Sequence, residues 1–167
     1  LTDRVIDRPM RPLFPKDYRN DVTLENLVMS VEQDCSPELT AMLGASIATS
    51  ISDIPFDGPI STTQVGLVDG EFVFNPTAAQ REVSDLALTV ASTKEKVIMI
   101  EAGASEVPED KMIEAIFAAH ELNQKVIAFF DTIVAECGKP KHEYQSFAVP
   151  QELFDAIQKI VTPEEME

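Results

Sequence analysis

Three arginines near the start of the chain, Arg4, Arg8 and Arg11, stand four and three residues apart within LTDRVIDRPMRPLFPKDYRN. On a helix, residues four apart share a face. Arg4 and Arg8 would therefore present two guanidiniums to one anion, with Arg11 a further turn along. A guanidinium fork matches phosphate oxygens bidentately, so the chemistry this pair suits is the binding of phosphate esters. Asp3 and Asp7 are interleaved with the arginines, and the alternative is a set of surface ion pairs of small energetic weight. Both readings stand on spacing alone. Charge distribution adds to the first: through Arg19 there are five basic residues against three acids, whereas the remaining 148 residues hold eight against 26. The net charge of −16 hides a positive front. Phosphate neutralisation needs clustered Lys and Arg, so nucleic-acid binding over the whole surface is excluded and local binding is not.

Elsewhere the side chains that carry chemistry are scattered. His120 falls beside the apolar stripe of a long helix and His142 in a linker, neither next to a nucleophile or a second ligand, and both read as structural. Cys35 and Cys137 lack CxxC or Cys/His spacing, which suggests a reducing compartment instead of a disulfide or zinc framework. Glu106, Glu109 and Asp110 suit the positive end of a helix. The sequence contains no phosphate-binding Walker loop, no GxGxxG and no GxSxG, and assembles no catalytic centre. Without a secretory signal or an apolar run of membrane-spanning length, a cytoplasmic protein with no membrane partner is expected. The chain begins with Leu inside a helical pattern and stops at a solvated TPEEME, and is expected to be a piece of a longer polypeptide.

The elements that must position these residues follow from periodicity. Leu1, Val5, Ile6, Met10, Leu13 and Phe14 recur at helical spacing. Pro9 disfavours the α conformation before it, which predicts a break or tightened turn near Arg8, with Asp7 available to cap what restarts. VTLENLVMSV reads as a strand of about ten residues by its β-branched content. Ser36, Pro37 and Glu38 form a helix start for ELTAMLGASIATSIS, whose Gly44, Ala45 and Ala48 allow close packing. DIPFDGPI is a loop. Asp69-Gly70 between apolar stretches predicts a hairpin, and SDLALTVAS and KVIMIEAG read as paired strands. A long helix starts near Pro108 with a core stripe of Met112, Ile113, Ile116, Phe117, Ile127, Phe130, Ile133 and Val134. It stops at Gly138 before Pro140. PKHEYQSFAVP follows as a linker, then an amphipathic helix in QELFDAIQKIV. The expected order after the opening helix is β-α-β-β-β-β-α, an α/β sandwich to about residue 140.

Three stretches in order, LTDRVIDRPMRPLFP, AMLGASIATSISDIPFDGPI and VGLVDGEFVFNPT, continued by AGASEVPEDKMIEAIFAAHE, resemble the bacterial polynucleotide phosphorylase family over nearly the whole chain. The resemblance implies an α/β ribonuclease-PH-like sandwich whose early strands are missing. Residues 1–140 would be the later part of a first, non-catalytic domain, and residues 141–167 the linker and start of an all-helical domain. For the parent it implies a homotrimeric ring that degrades single-stranded RNA from its 3′ end with inorganic phosphate and magnesium, releasing nucleoside diphosphates, with an RNA-degradation complex as a further partner. The two metal-holding aspartates of the family's catalytic copy fall here on Asn75 and Arg81, an amide and a cation that do not replace carboxylates for Mg²⁺. The serine-rich phosphate turn reads DCSPELT, where Asp34 and Glu38 add negative charge and Pro37 removes an N–H donor. The implied roles are no catalytic or metal residue in this chain, Arg4 and Arg8 reaching the phosphate-rich site across a domain interface, and Arg11 a further backbone contact or a structural ion pair. A non-enzymatic RNA-guiding ring subunit is the competing reading.

Overall fold

The computed structural model describes residues 2–161; Leu1 and the TPEEME tail, both given roles above, lie outside the described residues. The opening helix α1 spans Thr2–Met10 and tightens into a 3₁₀ turn at Arg11–Leu13. The tightening falls three residues later than Pro9 suggested. Proline removes one intrahelical hydrogen bond and strains the residue before it, but Ile6, Pro9, Met10 and Leu13 all bury their side chains, and that packing carries the helix past it. Asp7 caps no restart and instead turns to Arg11.

Residues 22–31 form no strand. They run as irregular, largely exposed chain, with Leu27 82% and Met29 85% accessible. β-propensity expresses fit to a paired, half-buried surface, and none of the four described strands pairs with this stretch. Helix α2 then spans Pro37–Ile51; the Ser36 hydroxyl accepts from the Leu39 N–H and Pro37 takes the first turn, as expected.

The sheet is antiparallel in the order β2-β1-β3-β4, from β1 (Ser61–Val68), β2 (Glu71–Phe74), β3 (Leu86–Ser92) and β4 (Val97–Ala104). Asp69 and Gly70, with φ of 52° and 81°, make the β1–β2 hairpin, pairing Val68 with Glu71. Two positive φ values are what the tight hairpin turn requires, and Asp-Gly supplies them cheaply. A short helix, α3 (Ala78–Glu82), lies between β2 and β3. Its signal was present: Thr77 and Gln80 make a reciprocal capping box, the T-x-x-Q pattern of a helix start.

Helix α4 (Glu109–Cys137) lies against β1 and β3, and α2 packs on α1, β1 and α4. Its buried line is Ala115, Ala119, Asn123, Ile127 and Phe130. Ile113 and Phe117, read as core, are 52% and 64% exposed. Small residues at 115 and 119 bring the helix close to Val65, Leu67, Leu88 and Val90, which turns the bulky neighbours outward. A second cluster joins Ile6, Met10 and Leu13 to Met42, Ala45, Ile60, Ala91 and Met99. It ties α1 rigidly to α2 and the sheet. Residues 138–150 carry no regular structure, and α5 spans Gln151–Gln158 with Leu153, Phe154 and Ile157 exposed. No described helix is long and apolar enough to cross a membrane.

Candidate nucleic-acid interface

Because Ile6, Met10 and Leu13 face the core, the opposite side of α1 is left to Arg4 and Arg8. Both are exposed, one turn apart, and neither forms an ion pair with a carboxylate among the described residues. Arg11 behaves differently. Its Nε donates to Asp7 Oδ2 at 3.1 Å and its terminal nitrogen to Asp7 Oδ1 at 2.6 Å, a bidentate pair at i and i+4. The three arginines therefore split into an unpaired couple and one already engaged. Beside them an open cavity of about 800 Å³ is bordered by Arg11, Lys16 and Arg19 and by Asp3, Asp7 and Asp21. Its mixed charge suits an anion less than the Arg4–Arg8 face does, so this cavity and the best anion-binding side chains adjoin without coinciding.

A second location collects the other singled-out residues. The turn before α2 and the turn after β2 meet in a cleft of about 190 Å³ lined by Asp34, Cys35, Ser36, Thr62, Gln64, Asn75 and Arg81. Asn75, at φ 50°, accepts through Oδ1 from the Gln64 N–H at 3.1 Å. Arg81 donates to the Pro76 carbonyl at 2.6 Å and the Gln33 carbonyl at 2.7 Å. Asp34 accepts from the Ala78 N–H at 3.0 Å, and Ser36 donates to Glu38 Oε2 at 2.8 Å. These residues do not fit magnesium. A hard divalent cation wants several oxygens, carboxylates among them, and here a guanidinium occupies the carbonyls while the amide oxygen already accepts a hydrogen bond. Nor do they fit phosphate, since Pro37 has no N–H and Glu38 takes the Ser36 hydroxyl. Among the described residues no group of three His, Cys, Asp or Glu is placed to hold a metal.

Sequence reasoning missed a third cluster. Residues 139–147 strap back across the chain, with Lys139 N–H donating to Ile51 O and His142 N–H to Asp53 O. Lys141 Nζ donates to the carbonyls of Thr49, Ser50 and Ser52 at 3.2, 2.9 and 2.8 Å, closing the C-terminus of α2. A cation there meets the negative end of the helix dipole, while burial holds the Lys141 ammonium below the usual lysine range. His142 Nε2 lies 3.2 Å from the Tyr18 hydroxyl, and Tyr144 stacks edge-on against Tyr18. Asp17 accepts from Ser146 and, at 3.0 Å, from the Tyr144 hydroxyl. Side-chain partners 89 to 129 residues apart leave no local signature.

The Ser146 hydrogen bond, and after it that of Tyr144, holds the Asp17 carboxyl below its ordinary value of 3.8. A depressed folded-state value favours the folded strap fully above that ordinary value, and the contribution disappears as pH falls through the folded value. Amide exchange in residues 142–147 is therefore expected to show constant protection from neutral pH to about 5, then to lose it in acid well below 4. Asp17→Asn should remove that acid step; a step that persists in the variant would assign it to another group.

With this geometry in place, comparison with known proteins gives the class first. Residues 58–121 match the model of the 3′ exoribonuclease family, domain 2. The fold is similar to that of rice (Oryza sativa) Rrp46, with a TM-score of 0.56 and 16% identity over 63% of this chain and 51% of that one. The α/β arrangement is thus that of a ribonuclease-PH-like domain. The chain is 78% identical over all 167 residues to the polyribonucleotide nucleotidyltransferase of Lachnoclostridium phytofermentans, covering 24% of that protein. It is 57% identical over 95% of its length to that of Ruminiclostridium cellulolyticum and 51% over 97% to that of Clostridioides difficile, covering 23% of each. The chain belongs to the polyribonucleotide nucleotidyltransferase family and spans about a quarter of the length of the curated relatives it matches.

Proposed function

We propose that this chain serves a phosphorolytic 3′-to-5′ exoribonuclease as architecture and as an RNA-contacting surface. In that reaction inorganic phosphate attacks the terminal phosphodiester, the bond from phosphorus to the penultimate ribose oxygen breaks, and a nucleoside 5′-diphosphate leaves. The role of Arg4 and Arg8 is electrostatic: they hold the phosphates of the RNA 3′ end and offset charge that builds up as the phosphoryl group transfers. The observation that carries this reading is the Arg4–Arg8 pair itself, exposed on one face of a helix whose other face is locked into the core. Arg11, committed to Asp7, contributes a structural ion pair.

Magnesium, in this reading, belongs to residues outside the chain, and the Asn75–Arg81 cleft supports that assignment by its donor set. Residues 1–140 then act as the non-catalytic ribonuclease-PH-like portion and residues 141–167 lead into a helical region, within a cytoplasmic homotrimer that works in RNA degradation. The test is to incubate the purified chain with poly(A), phosphate and Mg²⁺, with the full-length protein in parallel. ADP is expected from the full-length protein only. Release by the chain alone would overturn the reading of Asn75 and Arg81. A silent full-length protein would favour an RNA-guiding ring subunit.

A further inference from the structure

The donor set at the small cleft carries a consequence for how this part of the molecule is held together. Two loops meet there, residues 32–36 before α2 and residues 75–77 before α3, linked by hydrogen bonds between residues 44 and 48 apart in sequence. Neither belongs to the sheet or a helix. The links between them are few: Asp34 Oδ1 accepts from the Ala78 N–H at 3.0 Å, and the Arg81 guanidinium reaches the Gln33 carbonyl at 2.7 Å with one arm and the Pro76 carbonyl at 2.6 Å with the other. Gln33 O, Pro76 O, Asn75 Oδ1 and Asp34 Oδ1 are hard oxygens of the kind a divalent cation gathers, yet each accepts from an N–H group. A guanidinium is a permanent cation with five donors in a fixed plane, so it can join carbonyls from two loops at once.

We propose that Arg81 is a resident cation at this cleft: its guanidinium ties the loop before α2 to the loop before α3, so that this region holds its shape without a divalent metal. The tie acts on the α2 start as well. Gln33 lies three residues before the Ser36 cap, so fixing its carbonyl sets where the first turn of α2 begins. This inference rests on the cleft and goes beyond the reading of Arg4 and Arg8, which could fail without affecting it.

Hydrogen exchange on the full-length protein tests it, with and without chelation of Mg²⁺. In the wild type, amides of residues 35–40 and 78–82 are expected to keep the same protection in both conditions. In Arg81→Gln those amides should exchange about tenfold faster, the loss expected for hydrogen bonds made by a charged group, while β3 and α4 stay as in the wild type. Unchanged exchange in the variant would overturn the proposal. So would wild-type protection that falls on chelation, because a metal and not the guanidinium would then be holding the loops. Should β3 also open in Arg81→Gln, the wild-type chelation comparison decides alone: retained protection supports the tie and lost protection rejects it.

Discussion

Replacing Arg4 and Arg8 together by glutamine is expected to lower phosphorolysis by the full-length protein about a hundredfold, with the oligomer intact. Each guanidinium is exposed and unpaired among the described residues, so its charge is available to a substrate phosphate, and preorganised donors aimed at developing charge are worth about tenfold or more each. The helix that bears them is anchored through Ile6, Met10 and Leu13, so the substitutions remove charge without removing packing. Arg11→Gln is the internal comparison. Its fork is already filled by Asp7, and an exposed pair of that kind is worth about 1 kcal/mol or less, so turnover should stay within about twofold of wild type. Measured kcat/KM on poly(A) separates these outcomes. A double variant with unchanged turnover would sink the assignment, and equal losses at Arg8 and Arg11 would show that the Asp7 pair opens in solution.

The second large effect concerns stability. Asn123 is completely buried on α4, where it accepts from Thr63 Oγ1 at 2.8 Å and donates to Val90 O at 3.0 Å and Ser92 Oγ at 2.8 Å. One side chain thereby joins the helix to β1 and β3 and satisfies three polar groups sealed from water. Asn123→Ala is expected to destabilise the fold by about 3 kcal/mol, since it deletes the bonds and leaves their partners buried without replacements. That corresponds to a fall of roughly 6–12 °C in Tm for a domain of this size, read by thermal or denaturant unfolding of the chain. Thr63→Val should cost less, and the double variant should cost less than the sum of the singles, because both remove the same bond. Strict additivity would deny the coupling.

The contrast between the arginines and Asn123 separates what can be read locally from what cannot. Arg4 and Arg8 were legible because helical spacing places residues four apart on one side, and the core residues between them specify which side is dry. Asn123 was not, since a polar residue in a helix reads as solvent-facing until the partners that satisfy it come from strands 30 to 60 residues away. The same limit explains Ile113 and Phe117. Their size suggested core, but the close approach allowed by Ala115 and Ala119 rotated the buried line away from them.

By itself, the sequence determined whatever depends on neighbours within a few residues: the Asp69-Gly70 hairpin, the Ser36-Pro37 start of α2, the Gly138 stop of α4, the pairing of β3 with β4, and the family to which the chain belongs. Backbone preference and capping hydrogen bonds are short-range, and so they survive translation from letters to structure. Tertiary structure alone decided two things. It left residues 22–31 without a strand partner, and it brought Asn75 and Arg81 against the turn at Asp34. Long-range strand pairing and loop contact depend on which distant surfaces the core brings together, and periodicity within a segment contains no record of that.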